Sequence, residues 1–162
     1  MNNAIILTNG LLTSTDAKTA HGLIRGTERF TIIGVVDCEA TAGKDAGELA
    51  FINDSLKAYE NVIVGLHGYN RRPANHFDLP AAALQFLNEK GHEDWIHLIF
   101  GNPYAVGDFS QINNILFAFE DTKYSHAAVQ KWLEGKLQAS GTLPVTISPE
   151  LKFGMLSEAS LK

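Results

Sequence analysis

Five short apolar runs punctuate the sequence: "AIILT" at 4–8, "FTIIGVV" at 30–36, "NVIVGL" at 61–66, "IHLIF" at 96–100 and "NILFAF" at 114–119. They are rich in β-branched residues, mostly lack polar alternation, and stop at the turn-formers Asn9-Gly10, Asp37, Gly68, Gly101-Asn102 and Asp121. A strand with one face in water alternates apolar and polar side chains, whereas a strand covered on both faces does not. The runs therefore predict a parallel sheet with helices on both sides.

The intervening segments carry the helical pattern this arrangement needs. Ala17, Ala20, Leu23 and Ile24 recur at helical spacing after Ser14 or Thr15 as N-cap, and Gly26 ends the pattern. A second helix is expected over 46–59, and a third begins at Pro80 in "PAAALQFLNEKGH". After the fourth run, "AVGDFSQIN" has room only for a short or irregular helix. The last, "SHAAVQKWLEGKLQA", puts Ala127, Val129, Trp132, Leu133 and Leu137 on one stripe. Alternating strands and helices imply a three-layer α/β sandwich with right-handed crossovers. Five strands favour the flavodoxin-like order 2-1-3-4-5, with a Rossmann-like first half. The tail "GTLPVTISPELKFGMLSEASLK" reads as extended chain with at most a small strand. A single domain over 1–157 is expected, with 158–162 fraying.

Composition narrows the function. A net charge of -5 and a pI near 5.6 argue against nucleic acid, whose phosphates need a basic surface. The single Cys38 cannot close an internal disulfide, and six scattered histidines have no zinc-ligand spacing. The opening "MNNAIILTNG" lacks a basic region before a long apolar core, and no run reaches transmembrane length. The expectation is a cytoplasmic chain with no membrane partner, no metal and no cofactor.

The turn "IFGNPYAVGDF" at 99–109 reads as a structural corner: Gly101 and Pro103 set a sharp exit, Asn102 bonds nearby amides, and Tyr104 lies over the sheet edge. It has too few glycines for a phosphate cradle. Asp37 stands where a dinucleotide fold keeps its ribose-binding acid, but "TNGLLTSTDAKTAHG" replaces the glycine-rich fingerprint, and Lys18 reads as a solvated helix residue. His67 has no nucleophile in a strained elbow beside it, so it reads as a turn histidine. His76, His92, His97 and His126 share no ligand spacing. Glu120-Asp121, and Asp45 with Glu48, read as solvated loop acids rather than a hydrolytic pair. Cys38 lies between Asp37 and Glu39, whose charges disfavour a thiolate. No catalytic residue is assigned.

One ligand site is a candidate. In the order 2-1-3-4-5 the connections after strands one and three leave in opposite directions and open a crevice at their carboxyl ends. There Asn9, Gly10 and Ser14 face "HGYNRRPAN", and Arg71 or Arg72 would add a guanidinium fork to the first helix's amino end. Such a crevice suits a small anion, or less closely a nucleotide.

Two families are resembled. From about 51 to 157, "VIVGLHGYNRRPANHFDLP", "IFGNPYAVGDF", "FAFEDT" and "GTLPVTISPELKFG" look like the C-terminal α/β domain of bacterial family-three β-N-acetylglucosaminidases. Over about 1–50, "DAKTAHGL", "GVVD" and "AGKDAGE" resemble the N-terminal Rossmann-like domain of a D-glutamate N-acetyltransferase-like family. Together the resemblances imply an engineered chimera joined near 45–52, a scaffold without chemistry of its own. The first implies a glycosidase whose reactive groups sit on a separate barrel. The second implies a P-loop region, yet no G-x-x-x-x-G-K-S/T occurs here. The alternatives are the anion or nucleotide binder and an accessory domain or fragment of a β-N-acetylglucosaminidase.

Overall fold

The structure is a computed structural model, and it describes residues 3–9, 30–37, 50, 54, 57, 61–66, 71–79, 81–90, 94–109, 112 and 114–156. The first expected helix, nearly all of the second, and the tail at 158–162 lie outside the described residues. Strands β1 (Asn3–Asn9), β2 (Phe30–Asp37), β3 (Asn61–Leu66), β4 (Ile96–Ile99) and β5 (Ile115–Phe117) form one sheet in the order β2-β1-β3-β4-β5. All four pairings are parallel, and β1 slips against β2 by a bulge between Ile5 and Ile6. The helices are α1 (Ala81–Lys90) and α2 (Lys123–Leu133).

Side chains alternate across a strand, so a strand apolar at every position must be covered twice. On β3, Val62, Val64 and Leu66 join one core cluster and Ile63 the other. Ile99 of β4 joins the first, while Leu98 and the following Phe100 join the second. The first face is covered by Phe86 and Leu87 of α1, with Trp95 tilted against Phe86 at 5.9 Å between ring centroids. The second is covered by Val129 and Trp132 of α2. The two clusters make three layers: α1, the sheet and α2.

Helix α2 begins at a reciprocal capping box. The Ser125 amide donates to Thr122 Oγ1 at 3.3 Å, and the Thr122 amide donates to Ser125 Oγ at 2.9 Å. It ends at Gly135, whose φ of 70° lets the Lys136 amide reach the Lys131 carbonyl at 2.8 Å and the Gly135 amide reach that of Trp132 at 2.9 Å. This closure cuts the expected stripe short: Leu137 lies past the helix and is exposed, as is Ala127 within it. At the C-cap, the hydrogen bond from Lys136, reinforced by one from Gln130, holds the Glu134 carboxyl below its ordinary range.

The tail is more folded than an extended chain. Thr142 bridges Leu156 antiparallel, Leu143 is buried, and Leu151 packs on the first core face. Ser148 Oγ accepts from the amides of Glu150 and Leu151 and closes the turn between them. The tail also reaches the connection after β4, where a Cβ added to Gly107 would stand 3.7 Å from Ile147 Cγ2.

Candidate functional site at the carboxyl ends of the strands

Parallel sheets place their ligands where strands end and connections diverge. Three exits at this edge are described. After β4, Gly101 turns the chain at φ 133°, and Pro103 opens a 3-10 turn over Pro103–Asp108. Asn102 Oδ1 accepts the Tyr104 amide at 3.0 Å, and Asn102 Nδ2 donates to the Arg71 carbonyl at 2.9 Å. Ala105 and Val106 then drop into the first core face. Both ends of the Asn102 amide are engaged with backbone, so "IFGNPYAVGDF" is a structural corner that ties the exit of β4 to that of β3. Tyr104 is half exposed.

The exit of β3 contains a left-handed turn. Asn75, His76 and Phe77 have φ of 51°, 53° and 61° within the turn Ala74–Asp78. Successive left-handed residues are unfavourable for L-amino acids, by roughly 1–2 kcal/mol each. Burial offsets the strain: the Phe77 ring is only 4% exposed, beside Leu79 in the first core cluster. Arg71, Arg72 and residues 73–76 remain on the surface.

At the exit of β5, the Ala118 amide donates to the Ile99 carbonyl at 2.9 Å, and the Glu120 amide turns back to the Ala118 carbonyl at 2.7 Å. Phe119, at the centre of that turn, has φ 61° and stacks on Phe117 at 5.8 Å. Immediately after, Asp121 Oδ1 lies 2.6 Å from His126 Nε2, and the His126 ring meets Phe100 edge-on at 5.1 Å. Sequence spacing does not join these two residues. Their five-residue separation crosses the Thr122 cap, so no helical period announces the pair. Ser125 does not extend it into a nucleophilic triad, because its Oγ bonds the carbonyls of Glu120 and Thr122 at 2.6 and 2.8 Å.

The other sequence candidates separate. Arg71 and Arg72 are at the carboxyl edge and exposed. Asn9 ends β1 opposite Asp37, one residue beyond the pairing of Thr8 with Leu66, so its backbone lies at the same edge. Gly10, Ser14, Lys18, Cys38, Asp45, Glu48, His67 and His92 lie outside the described residues. His97 is fully buried in β4, in register with Val64 and Ile115, and is part of the core rather than of the edge. Glu120 is exposed, as expected of a loop acid. Among the described residues, no three or more His, Cys, Asp or Glu are grouped to hold a metal ion, and no helix is long and apolar enough to cross a membrane.

No protein-family model matches the sequence, and no curated protein matches it. Solved structures do. The fold is similar to that of a glycoside hydrolase family 3 β-N-acetylglucosaminidase from Paenibacillus sp. str. FPU-7, with a TM-score of 0.67 and 15% identity over 91% of this chain and 27% of that one. It is also similar to a fungal multi-domain β-N-acetylglucosaminidase of the same family, described for a GCN5-related glucosamine N-acetyltransferase region. There the TM-score is 0.63 and the identity 17%, over 92% of this chain and 16% of that one. The likeness is one of fold, and this chain spans about a quarter or less of each neighbour. Neither match carries the resemblance of the first 50 or so residues to the D-glutamate N-acetyltransferase-like family.

Proposed function

We propose that the chain is an accessory α/β domain of the kind found within multi-domain β-N-acetylglucosaminidases, supporting catalysis elsewhere rather than performing it. The observation that carries this reading is the mismatch in coverage: the neighbour's fold accommodates 91% of this chain, which occupies only 27% of that enzyme. The local chemistry agrees. Asn102 is consumed by backbone bonds, and Ser125 is engaged in the cap of α2. The all-parallel sheet suits an accessory role, since its strands end at one edge, which can face a neighbouring domain. A join of two family fragments near 45–52 rests on sequence motifs alone, and one domain of glucosaminidase type suffices for a continuous sheet from β2 to β5. The test is release of chromophore from a nitrophenyl N-acetylglucosaminide. The purified chain is expected to stay at the buffer rate, and turnover that survives repurification overturns the reading.

A second reading is favoured by one placement. Arg71 and Arg72 stand exposed at the exit of β3, with the Arg71 backbone held by Asn102. A planar guanidinium at this carboxyl edge, which the backbone end of β1 at Asn9 shares, suits sulfate or phosphate.

A further inference from the structure

We propose that His97 is an acid-sensitive switch in the core: its neutral imidazole is compatible with the packing of α1 on the sheet, and its protonated form is not. The placement carries the argument. From Trp95 to Phe100 side chains alternate between the two core clusters: Trp95 and Ile99 belong to the first, Leu98 and Phe100 to the second, with Ile96 packed against it. His97 therefore stands on the first face between Trp95 and Ile99, and no part of it reaches solvent. Its neighbours in register, Val64 of β3 and Ile115 of β5, belong to the same apolar cluster. The His97 amide donates to the Asn114 carbonyl at 2.9 Å, so the residue also holds the chain that leads into β5.

A neutral imidazole fits such a site. An imidazolium loses its hydration there, and a buried charge is costly unless a second charge compensates it. The nearest charge along the chain, Asp94, is exposed, and β3 and β5 contain none. The charged groups of α1 are Glu89, which is exposed, and Lys90. The 3-10 turns over this face carry an exposed His76, with Asp78 and Asp108. The tail brings Glu150 and Lys152 on either side of Leu151, both exposed. The exposed groups stand in water rather than around the ring. An unfolded histidine takes up a proton below a pH of ~6.5. A native state that refuses this proton keeps its full stability above that range and loses it as the pH falls, because the unfolded chain then binds one proton more.

The test is urea denaturation of the intact chain from about pH 7.5 to about pH 5, with the histidine ring signals followed by NMR over the same range. Below a pH of ~6 the unfolding constant should rise about tenfold per pH unit, and the change should reverse on neutralisation. His97→Leu and His97→Gln, which cannot take the proton, should flatten this dependence whatever their own stability. His76→Asn, at an exposed position, should keep it. In the folded parent chain the His97 ring should hold its neutral-form signals down to the acid transition, a reading that stands even where neither variant folds. The proposal fails if the His97 ring titrates while the chain stays folded, if stability is level across this range, or if both His97 variants keep the parent's slope.

Discussion

The side-chain amide of Asn102 donates to the backbone carbonyl of Arg71 at 2.9 Å, so a residue of the connection after β4 holds the connection after β3. The same side chain accepts the Tyr104 amide at 3.0 Å and starts the 3-10 turn that sends Ala105 and Val106 into the core. Replacing it should separate these two roles. Asn102→Ala loses both bonds and should destabilise the chain by ~1–2 kcal/mol. Asn102→Asp keeps the acceptor for Tyr104 but sets a carboxylate oxygen against the Arg71 carbonyl, so it should destabilise while preserving the turn. Urea denaturation gives the energies, and the Tyr104 amide shift reports the turn. Asn102→Ala with an unchanged midpoint would mean that the bonds are replaced by water at no net cost.

The left-handed turn after β3 makes an opposite pair of expectations. His76→Gly removes a side chain that disfavours φ 53° and should stabilise by ~0.5–1 kcal/mol, the strain relieved less the added freedom of the unfolded chain. Phe77→Gly relieves the same kind of strain but empties a buried site, and should destabilise by ~3 kcal/mol or more. Thermal melts of the two variants should move in opposite directions. Loss of stability in both would show that the turn is held by the His76 side chain as well as by Phe77.

The two core clusters lie on opposite faces of one sheet. Leu87→Ala on the α1 face and Leu98→Ala on the α2 face should each cost ~2–5 kcal/mol. If both faces belong to one folding unit, each variant should still unfold in a single transition that fluorescence and circular dichroism report alike. Trp95 lies in the first cluster and Trp132 in the second, so tryptophan fluorescence reads both layers. Two separated transitions would mean that the layers are independently stable.

For the exposed arginine pair, millimolar sulfate or phosphate should raise the melting temperature, and Arg71→Ala with Arg72→Ala should abolish the effect. Ligand that binds only the folded state stabilises it in proportion to RT ln(1 + [L]/Kd). Equal stabilisation of the double variant would assign the effect to exclusion of the salt from the protein surface.

The sequence was enough for the strands and their covering. "NVIVGL" and "IHLIF" are apolar at nearly every position, which in an extended chain requires a partner layer on each side, and the structure buries both faces. It also determined the corner at Gly101-Asn102-Pro103, because those residues make a sharp exit wherever they fall. Gly135 was an equally local signal for the end of α2, but the apolar stripe running on to Leu137 pointed past it. The partners of the corner were a matter for the tertiary structure. Asn102 meets a carbonyl 31 residues away, and only the adjacency of β3 and β4 brings the two exits together. "ANHFD" has no glycine to announce positive φ; burial of Phe77 overrode the backbone preference. Asp121 and His126 meet across a helix cap, where neither helical nor strand spacing applies. Local periodicity records which side of an element avoids water. Which loops share an edge, and which side chains meet there, depends on strand order and on core burial strong enough to outweigh local strain, and no short stretch of sequence contains either.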